Sequence, residues 1–361
     1  MRADYLIAAD GGGSMVREAL GLGGWTLPPT HHYLNLFVQT DLTKLVAGRT
    51  FSQCEVANDR VRALIASKNN TDEWSFHIEY DPSSETPEDY PEERCADLVR
   101  AAVGAEVEAR VVARSAWDTR VHVVDAYRDG RVLIAGDAAH QHAPWGGFGA
   151  NTGIADVHNL AWKLASVLRG EASPTLLDSY GAERRPRAVL AASQARLRTD
   201  FLARYGVATE ENAAAVAEQV DSGAIMTRYR YRSAAVLGGG GDDGWVEQLA
   251  EQTGTRVPHL WLGSGDGRVS TLDLCGPRFA LLVAGPAGPW AAAGEEAGVA
   301  VHGIGPGTLL GDPDGAWPAT VRLAPGRALL VRPDGHVAAR SDERLSPESL
   351  TAALATLTGR R

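Results

Sequence analysis

The 361-residue chain predicts an α/β fold, and three observations carry that prediction. First, Arg131–Leu164 (RVLIAGDAAHQHAPWGGFGANTGIADVHNLAWKL) passes from an apolar, strand-like run into an amphipathic helix through a loop with five glycines and a proline. Second, residues 33–80 hold strand-like runs separated by turn residues, and in the last of them apolar side chains recur at every second position, the period of a half-buried strand. Third, residues 256–361 mix apolar strand-like runs with a Pro-Asp-Gly turn and a closing helix.

Taken in order, Tyr5–Ala9 reads as a short buried strand. It leads through Asp10-Gly11-Gly12-Gly13 to Ser14, an N-cap for the short helix MVREAL before Gly21. YLNLFVQT, TFSQCEV, RVRALIAS and EWSFHIEY read as an antiparallel meander with turns at Asn58-Asp59 and Asn69–Asp72. In the last run Trp74, Phe76, Ile78 and Tyr80 alternate with Ser75, His77 and Glu79, giving an apolar and a polar face. An acidic loop (Asp81–Glu93), a helix around Cys95–Val103 and a return strand near Val107–Val112 follow.

Residues 131–136 are read as a buried strand. In the helix after the glycine loop, Ile154, Val157, Leu160, Leu164 and Val167 recur at helical spacing as its buried face, and Gly170 ends it. A second helical stretch opens at Ser173-Pro174, is kinked or divided by Pro186, and stops at Gly206. Residues 210–235 read as helical and then extended, and Gly238–Gly241 as a flexible joint. The tail is predicted to hold strands near His259–Leu262 and Phe279–Ala284, a hairpin in RALLVRPDGHVAARS, and a helix opened by Ser346-Pro347.

Composition narrows the function classes. A net charge of −10 argues against nucleic acid. Cys54, Cys95 and Cys275 form no CxxC or metal-ligand spacing and are expected as free thiols of a cytoplasmic protein. The amino terminus matches neither a signal nor a transit peptide, and FALLVAGPAGPWAAAG is broken too early to span a bilayer.

The chemistry concentrates in the glycine loop. A strand, a glycine loop and a helix N-terminus bring backbone N–H groups up to an anionic ligand. Asp137, at the strand's end, can accept from a ribose or ribityl hydroxyl. Asp137, His140 and His142 lie on a loop rather than one helix face, so no metal site is expected. His31-His32 reads as a surface or strand-edge pair.

The segment GDAAHQHAPWGGFGANTGIADVHNLAWKL resembles the second flavin fingerprint of the FAD-dependent aromatic hydroxylases, the p-hydroxybenzoate hydroxylase-like monooxygenases of polyketide-tailoring and phenol type. YLIAADGGGSMVR resembles that family's Asp-Gly motif through Asp10, Gly11, Ser14 and Arg17. YRYRSAAV, GTRVPHLWLG, STLDLCG and LLVRPDGHVAARS resemble its thioredoxin-like carboxy-terminal extension, here without CxxC and therefore read as a structural or dimerisation module.

The resemblance implies three regions: a partial Rossmann-like FAD-binding domain (1–30 and 113–235), an inserted antiparallel substrate sheet (31–112) and a thioredoxin-like domain (242–361). It implies FAD held by Asp10, Gly11, Gly136, Asp137, Pro144, Gly147, Gly149, Ala150 and Asn151. The helix beginning near Asn151 would face the flavin edge that turns negative on reduction. NAD(P)H is the implied co-substrate. The implied reaction is O2-dependent hydroxylation of a small phenolic or polycyclic aromatic substrate, with the Pro144 carbonyl facing it. Catalytic residues are not identified; His77, Gln39 and Gln53 are candidate partners of a phenol.

The family's amino-terminal strand–GxGxxG–helix unit for the ADP half of FAD is not recognised here, because Gly238–Gly241 has neither a following helix nor an acidic partner. The expectations, in order, are a fragment, a second polypeptide supplying the missing half, or a flavin-free binding or assembly module. Without that strand, the sheet holding Tyr5–Ala9 and Val132–Ala135 is expected to expose an apolar edge or gap.

Overall fold

The computed structural model describes residues 2–238, 246–249, 252–263 and 267–360. Most of the expected joint at Gly238–Gly241 therefore lies outside the described residues. The chain forms two compact units, Met1–Trp25 with His122–Arg361, and Thr26–Val121.

In the first unit the strand Leu6–Ala8 pairs in parallel with Val132–Ile134, which also pairs antiparallel with Arg128–Asp129. Ser14 caps the helix Met15–Ala19 through a 3.0 Å bond from the Arg17 amide. The strand is less buried than its composition suggests. Ala8 is buried, but Leu6 and Ile7 are 48% and 45% exposed.

Two long helices, Phe148–Leu168 and Asp178–Arg196, pack together in this unit. The predicted apolar stripe of the first is corrected. Ile154 and Val157 are exposed, and the buried face carries Thr152, Asp156, Asn159 and Lys163 beside Leu160 and Trp162. Pro186 does not divide the second helix, which runs unbroken from Asp178 to Arg196. The break comes later, after Arg196, with the short helix Phe201–Arg204 beyond it.

The carboxy-terminal part holds a four-stranded sheet in the order Ala300–Ile304, Ala280–Ala284, Ala328–Val331, Val337–Arg340. The first two strands are parallel and joined through helix Pro289–Ala297, as a parallel crossover requires. The other two form the hairpin read from the Pro-Asp-Gly turn, and Gly335 there takes φ +75°. Apolar residues cover both faces. Leu281 and Val283 join a core with Trp162, Leu350 and Leu354, while Leu282 and Ala284 join another with Trp317 and Val321. The final helix starts at Leu350 rather than at Ser346-Pro347.

A buried ion network binds this sheet to the long helices. Glu183 accepts from Lys163 Nζ at 2.8 Å and from both terminal nitrogens of Arg332 at 2.6 and 2.9 Å. Arg332 also bonds Asp334, and Asn159 donates to Glu183 at 2.6 Å. Burial pushes the Glu183 carboxyl up, but Arg332 and Lys163 prevail and hold it far below the usual range. Burial brings Lys163 down to about 8, with Glu183 opposing.

The second unit is a five-stranded antiparallel sheet backed by helix Glu92–Val103. Its strand order is Gln53–Ala57, Arg62–Ser67, Glu73–Tyr80, His32–Gln39, Arg110–Asp118. It is not a simple meander, because the first strand in sequence inserts between the last two. The predicted return strand is also longer, at Arg110–Asp118. The alternation in EWSFHIEY holds on its apolar side: Trp74, Phe76 and Ile78 are buried.

Replacing Glu183 by Gln keeps the shape of the ion network but removes its central negative charge. Two buried cations then share one carboxylate, and unfolding stability is expected to fall by about 3–5 kcal/mol. An unchanged denaturant midpoint for E183Q would refute this account.

Candidate functional site

Two loops meet in the first unit. Asp10 follows the strand Leu6–Ala8 and folds onto the next helix, accepting from Ser14 Oγ at 2.6 Å and from the Val16 amide at 3.3 Å. The Ser14 hydroxyl, above all, holds its carboxyl below the ordinary value. Asp10 is thus a helix-capping group in this structure. Arg17 then ties the loops together, donating to the Gly12 carbonyl at 2.6 Å and to the Ala138 carbonyl at 3.0 Å. Gly12 lies so close to Gln141 that a Cβ there would be 2.0 Å from the amide nitrogen.

The second loop starts at Gly136, whose φ of +62° turns the chain out of the Val132–Ile134 strand into a short 3-10 turn, Gly136–Ala138. Asp137 is exposed on this turn, and no described protein group bonds its carboxylate. The turn is fixed from beneath by Asp156 of the long helix. Its Oδ2 accepts from the Gly136 amide at 3.1 Å and contacts His140 Nε2 at 2.8 Å, and its Oδ1 accepts from Arg184 Nε at 2.8 Å. Burial raises the Asp156 carboxyl, but His140 and Arg184 outweigh it and keep the group ionised. Gly153, on the same helix, packs tightly against the turn: a Cβ would sit 3.2 Å from the Gly136 Cα.

The long helix begins at Phe148, three residues before the expected start near Asn151. Gly147, at φ +68°, is its N-cap, and no side chain caps the first turn. The first-turn amides of Phe148, Gly149 and Ala150 therefore lack intrahelical acceptors. Asn151 is not a terminal residue; its side-chain amide donates to the Gly147 carbonyl at 2.8 Å. The Pro144 carbonyl accepts from the Gly147 amide at 3.0 Å and closes the turn before the helix. Gly149 has space on the protein side, its nearest neighbour being His142 Cε1 at 3.6 Å from a built Cβ. Trp145 is buried under Arg204, whose guanidinium lies 3.6 Å from the ring centre.

Contacts within this unit thus join the Asp-Gly loop, the Gly136 turn and the start of the long helix. Among the described residues, no three His, Cys, Asp or Glu side chains could hold a metal ion together. No described helix is long and apolar enough to cross a membrane. In the second unit, His77 is bonded by Trp117 at 3.3 Å, Gln39 accepts from Arg110 at the far end of its strand, and Gln53 is exposed on the edge strand. The three candidates do not form one group.

Reading the helix for apolar residues hides Asp156 and Arg184. The signal that finds Asp156 is a polar stripe, Thr152, Asp156, Asn159 and Lys163, at spacings of four, three and four. Asp156→Asn would set an amide among three donors and leave Arg184 with reduced countercharge. The expected result is a loss of about 3–5 kcal/mol in stability and faster hydrogen exchange at the Gly136 amide. Parent-like protection of that amide would contradict the role given to Asp156.

Residues 1–195 match the family described as "FAD binding domain", and residues 250–360 match "Aromatic-ring hydroxylase, C-terminal". The chain is 40% identical over 359 residues to the tetracenomycin A2 monooxygenase-dioxygenase of Streptomyces glaucescens, covering 95% of this chain and 63% of that protein. It is 35% identical to a 4-methyl-5-nitrocatechol 5-monooxygenase of a Burkholderia species, with 98% and 68% covered. Among solved structures, aklavinone-11 hydroxylase with FAD and aklavinone superposes with a TM-score of 0.85 at 33% identity, covering 99% of this chain and 68% of that one. The chain spans about two thirds of the length of these relatives. A match that takes in more than half of the chain, joined to relatives along almost all of it, places this protein in the family of FAD-dependent aromatic-ring hydroxylases.

Proposed function

We propose that this chain is the flavin-contacting and substrate-carrying part of an FAD-dependent monooxygenase that hydroxylates a phenolic or polycyclic aromatic ring with NAD(P)H and O2. The observation that carries the reading is the convergence of an unbonded Asp137 carboxylate, the Gly136 turn and an uncapped 21-residue helix. This geometry fits the flavin and ribityl half of FAD. The relatives named for tetracenomycin and aklavinone support the substrate class.

Bound FAD supplies the redox chemistry, taking reducing equivalents from NAD(P)H and activating O2. The chain's own groups do the rest. Asp137 accepts from a ribityl hydroxyl. The amides of Phe148, Gly149 and Ala150 present the positive end of the helix to the flavin edge that gains negative charge. Gly11, Gly136 and Gly147 let the backbone turn sharply at the site, and all three take positive φ. Asn151 holds the Gly147 carbonyl, and the Pro144 carbonyl fixes the turn that faces the ring. Asp10 acts one step back, by holding the Asp-Gly loop in shape.

The exposed apolar groups Leu6, Ile7, Met15, Ile154 and Val157 all lie in this unit. We further propose that polypeptide equivalent to the third of the relatives without a counterpart here covers them and holds the ADP half, on the same chain or a second one.

Asp137→Ala is expected to weaken FAD binding about tenfold to a hundredfold, the weight of one charge-assisted hydrogen bond of about 1.5–3 kcal/mol. Equal dissociation constants for mutant and parent would remove Asp137 from the site. Calorimetric titration of the 361-residue chain with FAD is expected to show weak binding. Adding polypeptide equivalent to the third of the relatives that this chain does not span, fused or co-expressed, should tighten it and restore aromatic-stimulated NAD(P)H oxidation. Submicromolar binding by the 361-residue chain alone would overturn the need for that further polypeptide. Failure to bind in either form would favour a flavin-free binding module.

A further inference from the structure

The turn that leads into the long helix Phe148–Leu168 is held from outside the glycine loop. Gly146 and Gly147, at φ +84° and +68°, stand just before the helix, and glycine gives the backbone there no stiffness of its own. The side chains on either side of this pair supply it. Phe148 is buried against Ala191, Ala195 and Ile225, with the Arg198 guanidinium 5.3 Å from its ring centre. Its ring also covers the turn, so that a Cβ on Gly146 would stand 2.5 Å from it. Trp145 is buried as well, and the Arg204 guanidinium lies 3.6 Å from its ring centre.

Arg204 is itself anchored. It ends the short helix Phe201–Arg204, and it donates from Nε to the Arg198 carbonyl at 3.0 Å and from a terminal nitrogen to the Thr199 carbonyl at 2.9 Å. Two fixed acceptors set the plane of the guanidinium, and a set plane is what a close contact over an indole face requires; an ammonium has none. Arg198 is anchored in the same way, by the carbonyls of Gln194 at 2.9 Å and Val220 at 2.7 Å. The end of the second long helix thus reaches the turn through two cation–ring contacts. Between them lies the 3.0 Å bond from the Gly147 amide to the Pro144 carbonyl. A shift of Trp145 would carry both of those groups with it.

We propose that Arg204 is a positioning residue for the flavin. By clamping Trp145 it fixes the Pro144–Gly147 turn, and with it the direction in which the Phe148, Gly149 and Ala150 amides point. It acts through Trp145 and not on the ligand. The inference rests on the flavin reading of this site and deepens it: the short helix beyond Arg196, which carries no glycine motif, becomes part of the cofactor site's support.

The test titrates the 361-residue chain with riboflavin, the flavin and ribityl half of FAD, and follows hydrogen exchange at the Gly147 amide. Arg204→Gln keeps a side-chain N–H for the two carbonyls and removes the cation from the ring. It should weaken riboflavin about three- to thirtyfold and speed Gly147 exchange by a similar factor, the weight of one buried cation–π contact. The Leu160 amide, deep in the same helix, reports on the whole fold and should change little. Trp145→Leu should match R204Q, and the double variant should lose no more than either alone, because both remove one contact. Trp145→Phe keeps a ring under the cation and should recover most of the loss. Parent-like riboflavin binding or parent-like Gly147 exchange in R204Q would overturn the proposal. So would additive losses in the double variant, or equal acceleration at Leu160. A folded parent chain that binds no riboflavin also overturns it, while leaving the flavin reading to the separate FAD titration.

Discussion

The first unit depends on one buried carboxylate. Asp156 has no solvent access, and its two oxygens meet the Gly136 amide, His140 and Arg184. A buried ion is tolerated only when its partners replace the water it lost. Here each partner belongs to a different element: the glycine turn, the short strand His140–Gln141, and the second long helix. Satisfying one charge therefore fixes three pieces of backbone. The Gly136 turn is held without any of its own side chains being used, so Asp137 remains free at its surface.

The same logic recurs along the helix. Asn159 and Lys163 continue the polar stripe begun by Thr152 and Asp156, and they meet Glu183, Arg332 and Asp334. The carboxy-terminal sheet is thus joined to the long helices by directional charge pairs as well as by Trp162 and Leu176 in a shared apolar core. Apolar packing alone would allow these layers to slide. A network of two acids and two bases with fixed hydrogen-bond directions sets their register, at the cost of desolvating four charges.

Apolar side chains show the converse. Leu6, Ile7, Ile154 and Val157 are exposed, the first two on opposite faces of one short strand and the last two on the long helix whose other face is buried. The long helix therefore has its polar residues inward and part of its apolar surface outward. The pattern suits a helix that is packed on both sides, with ions on one side and hydrocarbon on the other.

The sequence alone was enough for the two glycine motifs, the period-two strand Glu73–Tyr80, the capped Ser14 helix and the Pro-Asp-Gly hairpin, because each depends on residues a few positions apart. It also carried the family resemblance, since glycines and an acid at fixed spacing mark a backbone shape. Other features were settled only by tertiary structure. The strand His32–Gln39 lies between Glu73–Tyr80 and Arg110–Asp118, a pairing that local periodicity does not encode. Pro186 sits exposed inside an unbroken helix whose neighbours Glu183, Arg184 and Arg187 are buried, and those distant contacts hold the helix across the one lost hydrogen bond. The partners of Asp156 and Glu183 come from residues up to 149 positions away, and so do not show in any window of sequence. The side chain of His77 was legible as polar, but its partner was set only when the fold placed Trp117 across the strand from it.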